Sequence, residues 1–260
     1  MELIKNMSEF FLIALSLGTG SFTVLANTKK TGVGVFKLMT SVCMGALIIG
    51  LVIHLGSSHW NSKLSIVYYI SLINLLLQYL FHKDVKSRLM WLLYFFQIIF
   101  GSSMLILFIN KVTVEISLIN YFQFFSSTFY LGVIMYSMLL GHWYLVTPKL
   151  SERPLIKSTL ILWTIMVVKL IALVILISQN LNFFQPGSDL GVGYMFNWIV
   201  LLMRVGWGYL VIGILSYFSW RLIRMRSIQS ATGVLYVMVF FSFFGELAAS
   251  YLFFKYQLFI

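Results

Sequence analysis

The chain alternates between long apolar runs and short polar breaks along its whole length of 260 residues. Eight runs stand out, at about 8–27, 38–55, 64–82, 89–110, 118–146, 159–178, 194–220 and 229–257. Each approaches or exceeds the ~20 residues with which an α-helix crosses the ~30 Å hydrocarbon core of a bilayer. The apolar residues run continuously instead of alternating with a period of two, so the pattern predicts helices and argues against a membrane β-barrel. The breaks leave no room for a soluble domain. The expectation is an all-α polytopic integral membrane protein with eight transmembrane helices. One run ends unusually: MTSVCMGALIIGLVIHLGSSHW, from Met39 to Trp60, closes on His54, with Gly56 and His59 just beyond.

Composition supports this and adds an orientation. Apolar and aromatic residues make up 60% of the chain, charged residues 10%, and mean hydropathy is +0.95; a soluble domain carries about 25% charge. The net charge of +11 does not point to nucleic acid, because the basic residues are dispersed among the breaks. Lys29, Lys30, Lys37, Lys83, Lys86, Arg88, Lys149, Arg153, Lys157, Arg221, Arg224 and Arg226 fall on one side, against Lys5, Lys63, Lys111 and Lys255 on the other. With an even number of spans, the positive-inside rule puts both termini outside and the basic breaks in the cytoplasm of a bacterial-type inner membrane. Val24-Leu25-Ala26 would suit a signal peptidase, but Glu2 and Glu9 precede the first run and lysines follow it, the reverse of a secretory signal, so the segment is kept as a helix. Gly20 to Lys37 has the same outline as Gly141 to Lys157, and Tyr79 and Arg88 are spaced as Tyr217 and Arg226 are. These likenesses suggest a parallel duplication: two four-helix bundles, 1–115 and 116–260. The longest outer break, 179–193, holds Pro186 and Gly187 and is either a turn or a docking surface.

Charges inside apolar spans are costly and point to function. Lys169 and Arg204 fall near mid-membrane and Glu246 in the outer third, so Glu246 is expected to pair with one of the cations. Such a cluster is either a structural ion pair or a polar lining for a quinone headgroup, a proton path or an anionic substrate. His54, at the outer edge, is either interfacial or a proton acceptor for a hydroquinone, which loses two protons on oxidation. His59 and His142 read as interfacial. His54 and His142 lie some 25 Å or more apart by helix rise, so they cannot share a haem iron; His82 with His142 is the remaining axial pair. The single Cys43 allows neither a disulfide nor a cysteine metal cluster. No haem or metal is expected. Ser16 to Ser21 (SLGTGS) and Ser230 to Gly233 (SATG) suggest close helix packing, or room for a flat ring.

Ile53-His54-Leu55-Gly56-Ser57, the first-span segment Gly18 to Ala26 (GTGSFTVLA) and Phe244-Gly245-Glu246-Leu247 together resemble the membrane anchors of dimethyl sulfoxide reductase and, more distantly, of polysulfide reductase and other NrfD-like subunits. The resemblance implies eight spans in two bundles, and a quinol site near the outer leaflet beside an extrinsic iron-sulfur partner. It assigns the quinol role to His54. The third span departs from that pattern, offering Asn74 and Gln78 where an acid is expected. The reading is a non-haem subunit of a respiratory-type redox complex without a redox centre of its own, using His54 and Glu246 for protons and Lys169 and Arg204 toward the quinone. The alternatives are a small transporter or proton-conducting protein built on Lys169, Arg204 and Glu246, and a structural or assembly subunit.

Overall fold

The computed structural model describes residues 2–26, 32–56, 60–81, 88–113, 117–147, 150–187 and 193–258. It consists of eight long helices: α1 (Glu2–Thr23), α2 (Gly34–Leu55), α3 (Lys63–Phe81), α4 (Arg88–Val112), α5 (Leu118–Val146), α6 (Arg153–Gln179), α7 (Tyr194–Arg224) and α8 (Ile228–Tyr256). A short 3-10 turn, Leu181–Phe184, follows α6, and no strand occurs among the described residues. Seven helices, α2 to α8, are long and apolar enough to cross a membrane. The protein is a polytopic helical membrane protein.

Most helix limits lie within a few residues of the sequence expectation. Two starts lie earlier. α6 begins at Arg153, not near 159, because Pro154 suits the first turn, where its missing N–H costs nothing. Ser158, which looks polar enough to lie outside, and Thr159 donate back to the Leu155 carbonyl at 2.8 and 3.0 Å. α1 begins at Glu2, which sets Glu9 two turns inside the helix.

α1 is the most polar of the eight, and α5 is the most buried. α1 packs against α2, α4, α5 and α8, and its buried positions include Glu9, Phe10, Ser16, Gly18 and Thr19. α2 also contacts α3, and α3 contacts α4; α5 contacts α6 and α8, and α7 contacts α6 and α8. Backbones meet at two glycine pairs. A Cβ on Gly132 of α5 would overlap the Gly18 backbone of α1, and one on Gly245 of α8 would overlap Gly208 of α7. Without a strong hydrophobic drive between helices in lipid, such close contacts are a main source of association. Thr232 of the second small-residue stretch also lies against Gly141, with an added Cβ 3.0 Å from its hydroxyl. Because backbone cannot swing aside as a side chain can, Gly132→Val is expected to cost about 3 kcal/mol or more. Gly45→Ala, where nothing stands within 4 Å, is expected to leave stability unchanged or raise it. Thermal unfolding in detergent compares the two.

Within α7, residues Gly206–Val211 form a π turn, whose wider loop places Tyr209 and the Gly208 carbonyl toward the protein interior. The Tyr130 hydroxyl of α5 donates to that carbonyl. Single π turns recur at functional positions in helices.

Candidate functional site

His54 is the last residue but one of α2, yet its side chain is 1% exposed, because the imidazole turns inward between α1 and α3. Its Nδ1 lies 2.7 Å from Oε1 of Glu9, which is fully buried on α1. Its Nε2 faces Ser65 Oγ at 3.1 Å and Ser62 Oγ at 3.3 Å, at the start of α3. The ring stacks on Tyr68 at 5.5 Å between centroids. Lys111, at the end of α4 and partly exposed, brings its Nζ to 3.9 Å from Glu9 Oε2. Lys5 donates to the His54 carbonyl at 3.5 Å. A carboxylate on Nδ1 fixes the imidazole orientation. Nε2 is then left to the two serines.

The second cluster lies in the other helices. Glu246 Oε1 accepts from Arg204 Nη1 at 2.7 Å and stands 3.2 Å from Lys169 Nζ, which also donates to Ser127 Oγ at 2.6 Å. The Arg204 guanidinium covers the Tyr209 ring at 4.7 Å, and Lys169 lies over Tyr130 at 5.5 Å. Sequence places Glu246 nearer the outer surface than the two cations. In the structure Lys169 and Glu246 stand ten positions before the C-terminal ends of α6 and α8 (179 − 169 and 256 − 246), and Arg204 ten after the N-terminal end of the antiparallel α7 (204 − 194). That is about 15 Å along each axis, so the three meet at one level. All are at most 1% exposed, and two cations face one carboxylate.

The grouping differs from the one read in sequence. His54 and Glu246, the expected proton pair, belong to separate clusters, and the acid bound to His54 is Glu9. Sequence neighbours of both clusters nevertheless line two adjoining grooves. A lipid-facing groove of about 420 Å³ runs between α1, α2 and α8, lined by Ser8, Phe11, Leu12, Leu15, Ile53, Phe243 and Leu247. A second, of about 250 Å³, is lined by Met7, Phe196, Val200, Met203, Phe244, Leu247, Ala248 and Tyr251. Leu247 borders both. Ser8 and Ile53 adjoin Glu9 and His54 in sequence, while Met203 and Leu247 adjoin Arg204 and Glu246. The first groove is within the size range of small-molecule sites.

No family model, curated protein or solved structure matches the chain.

Its chemistry is therefore read from the groups themselves. His142 is exposed at the other end of the molecule, its Nδ1 2.9 Å from the Tyr236 hydroxyl. His59 and His82 lie outside the described residues. Among those described, no three His, Cys, Asp or Glu side chains gather as metal ligands. Sequence reasoning missed Glu9, which it counted with Glu2 as a charge preceding the first apolar run. A signal was present: residues 2–8 contain neither Gly nor Pro, so nothing stops a helix from extending back past Glu9.

Proposed function

We propose that the protein is a quinol-binding membrane subunit in which the His54–Glu9 pair accepts protons from a hydroquinone held in the groove between α1, α2 and α8. The observation that carries this reading is a buried imidazole–carboxylate pair whose two residues each adjoin in sequence a residue, Ile53 or Ser8, that lines a lipid-open apolar groove. A hydroquinone is an apolar molecule with two acidic hydroxyls. It needs lateral entry from lipid, apolar walls for its tail, and a base beside its head. His54, next in sequence to the groove residue Ile53, supplies the base, with its Nε2 turned to Ser62 and Ser65 on the α3 side. Glu9 holds the resulting imidazolium, and Lys111 offers a polar connection toward water. The electrons would pass to an extrinsic partner, of which an iron-sulfur protein on the outer face is the expected kind.

In this reading the chain sits in a bacterial-type inner membrane with both termini outside, as its charge distribution implies. Two parallel four-helix halves fit the packing of α1 to α4 and of α5 to α8. They also fit the match of Glu9-Phe10-Phe11, nine residues before Gly18, to Gln123-Phe124-Phe125, nine before Gly132. Lys169, Arg204 and Glu246 bond to one another and serve as a joint that holds α6, α7 and α8 together behind the groove.

Purified protein is expected to bind a short-tailed quinol at one site. Isothermal titration should show His54→Ala weakening that affinity about tenfold, the scale of one hydrogen bond to a polar partner. Absence of saturable binding to the unmodified protein would sink the reading.

A further inference from the structure

The interior of α1 to α4 contains a polar column that starts at Ser65 beside His54 and continues well beyond the quinol site. On α3, Ser65, Tyr68, Ser71, Asn74 and Gln78 are all buried and follow one another at spacings of three or four residues, so they lie along one face. The face runs 78 − 65 = 13 residues, about 20 Å, or two-thirds of a hydrocarbon core. Ser16 and Thr19 of α1 and Gln97 of α4 are buried in the same set of helices.

Several contacts join these groups. His54 touches Ser65 and stacks on Tyr68. The Tyr68 hydroxyl occupies space left by Gly50 of α2, where a Cβ would come within 3.2 Å of it. Asn74 donates to Gln97 Oε1 at 3.2 Å and to the Leu93 carbonyl at 3.1 Å, and Gln78 donates to the same carbonyl at 3.1 Å. The Gln97 side chain lies against Gly20 of α1.

Three hydroxyls along this interior, those of Thr19, Tyr68 and Ser71, have no protein partner, and that of Ser16 has the Cys43 thiol beside it. A buried hydroxyl left unbonded costs about 1–3 kcal/mol, and such groups in native proteins are ordinarily met by internal water. Neighbours three or four apart on a helix face stand about 5–6 Å apart, the distance one bridging water covers with two hydrogen bonds. At one end of the column the Glu9 carboxylate reaches the partly exposed Lys111. At the other, Gln78 adjoins the exposed Tyr79, whose ring carries the exposed Lys37 ammonium at 5.8 Å.

We propose that α1 to α4 enclose a hydrated proton path that joins the His54–Glu9 pair to the opposite face of the membrane along the Ser65-Tyr68-Ser71-Asn74-Gln78 column. The hydroxyls and bridging waters each accept one proton and release another, while the amides of Asn74, Gln78 and Gln97 hold the waters in line. One proton enters at one face for each that leaves at the other, with no net change in the protein. The path needs neither quinol nor a partner subunit, so it stands independently of the quinol reading.

The test uses purified protein in liposomes with a trapped pH-sensitive dye and a potassium diffusion potential set by valinomycin. Proton flux is expected to exceed that of protein-free liposomes. It should fall about tenfold, equivalent to ~1.4 kcal/mol in barrier, in the Tyr68→Phe/Ser71→Ala double variant. Both changes remove unpartnered hydroxyls, so the variant should elute as a single species with unchanged helical circular dichroism and unfolding temperature. Flux no greater than in empty liposomes overturns the proposal. So does undiminished flux in the folded double variant, or flux that persists there and stops with Lys169→Met, which would move the path to the second cluster. Quinol titration of the same preparation reads out separately, so each idea can fail alone.

Discussion

Replacing Glu246 with glutamine is expected to destabilise the protein by about 3–5 kcal/mol, the range measured when one partner of a buried charge pair is removed. The change keeps the side chain's size and shape but leaves Arg204 and Lys169 facing each other without an anion, each at most 1% exposed. The loss should appear as a lower unfolding temperature in detergent and less folded protein in membranes. The companion variant has the opposite sign. Lys169→Met removes the surplus cation and leaves the Arg204–Glu246 pair, bonded at 2.7 Å, intact and neutral. It should keep or raise the unfolding temperature, since an apolar side chain in a buried ionic site is often neutral or stabilising. Equal losses in the two variants would mean that Lys169 is a required member of the joint instead of its excess charge.

Quinol oxidation by the assembled complex in native membranes is expected to fall about 10²–10⁴-fold in His54→Gln, the usual contribution of a positioned acid or base. Glu9→Gln should lose a large part of the same factor, because the amide no longer stabilises an imidazolium at Nδ1. The informative result is the double variant. If the two residues act as one unit, His54→Gln/Glu9→Gln will be no slower than His54→Gln alone. Additive losses would separate the residues into independent roles, and activity unchanged in His54→Gln would remove the pair from the chemistry. The quinol proposal underlies this expectation, whereas the Glu246 result depends only on burial and charge.

The apolar runs were legible because their lengths, set by bilayer thickness and helix rise, leave little choice of structure. The two unusual features of the second half, buried cations and a buried acid, were legible for a related reason: each charge interrupts an apolar run and is visible as an exception. Glu9 is equally buried, but it lies near the start of the chain among other polar residues, and only the absence of Gly and Pro before it separates it from an exposed terminal charge. The small residues at Gly18 could be suspected of close packing, but their partner, Gly132, lies in a helix far along the chain.

The sequence by itself determined that this is a multi-span helical membrane protein, where most of its helices run, and that Lys169, Arg204 and Glu246 lie inside them. Tertiary structure alone decided that His54 turns inward to Glu9 instead of meeting Glu246. It also set Lys169, Arg204 and Glu246 at one level, and left an open groove lined by sequence neighbours of His54, Glu9 and Glu246. The reason is physical: hydropathy fixes how long a helix is and that it enters the membrane. Its rotation and depth are fixed by contacts such as Gly18 on Gly132, and those decide which buried polar group meets which.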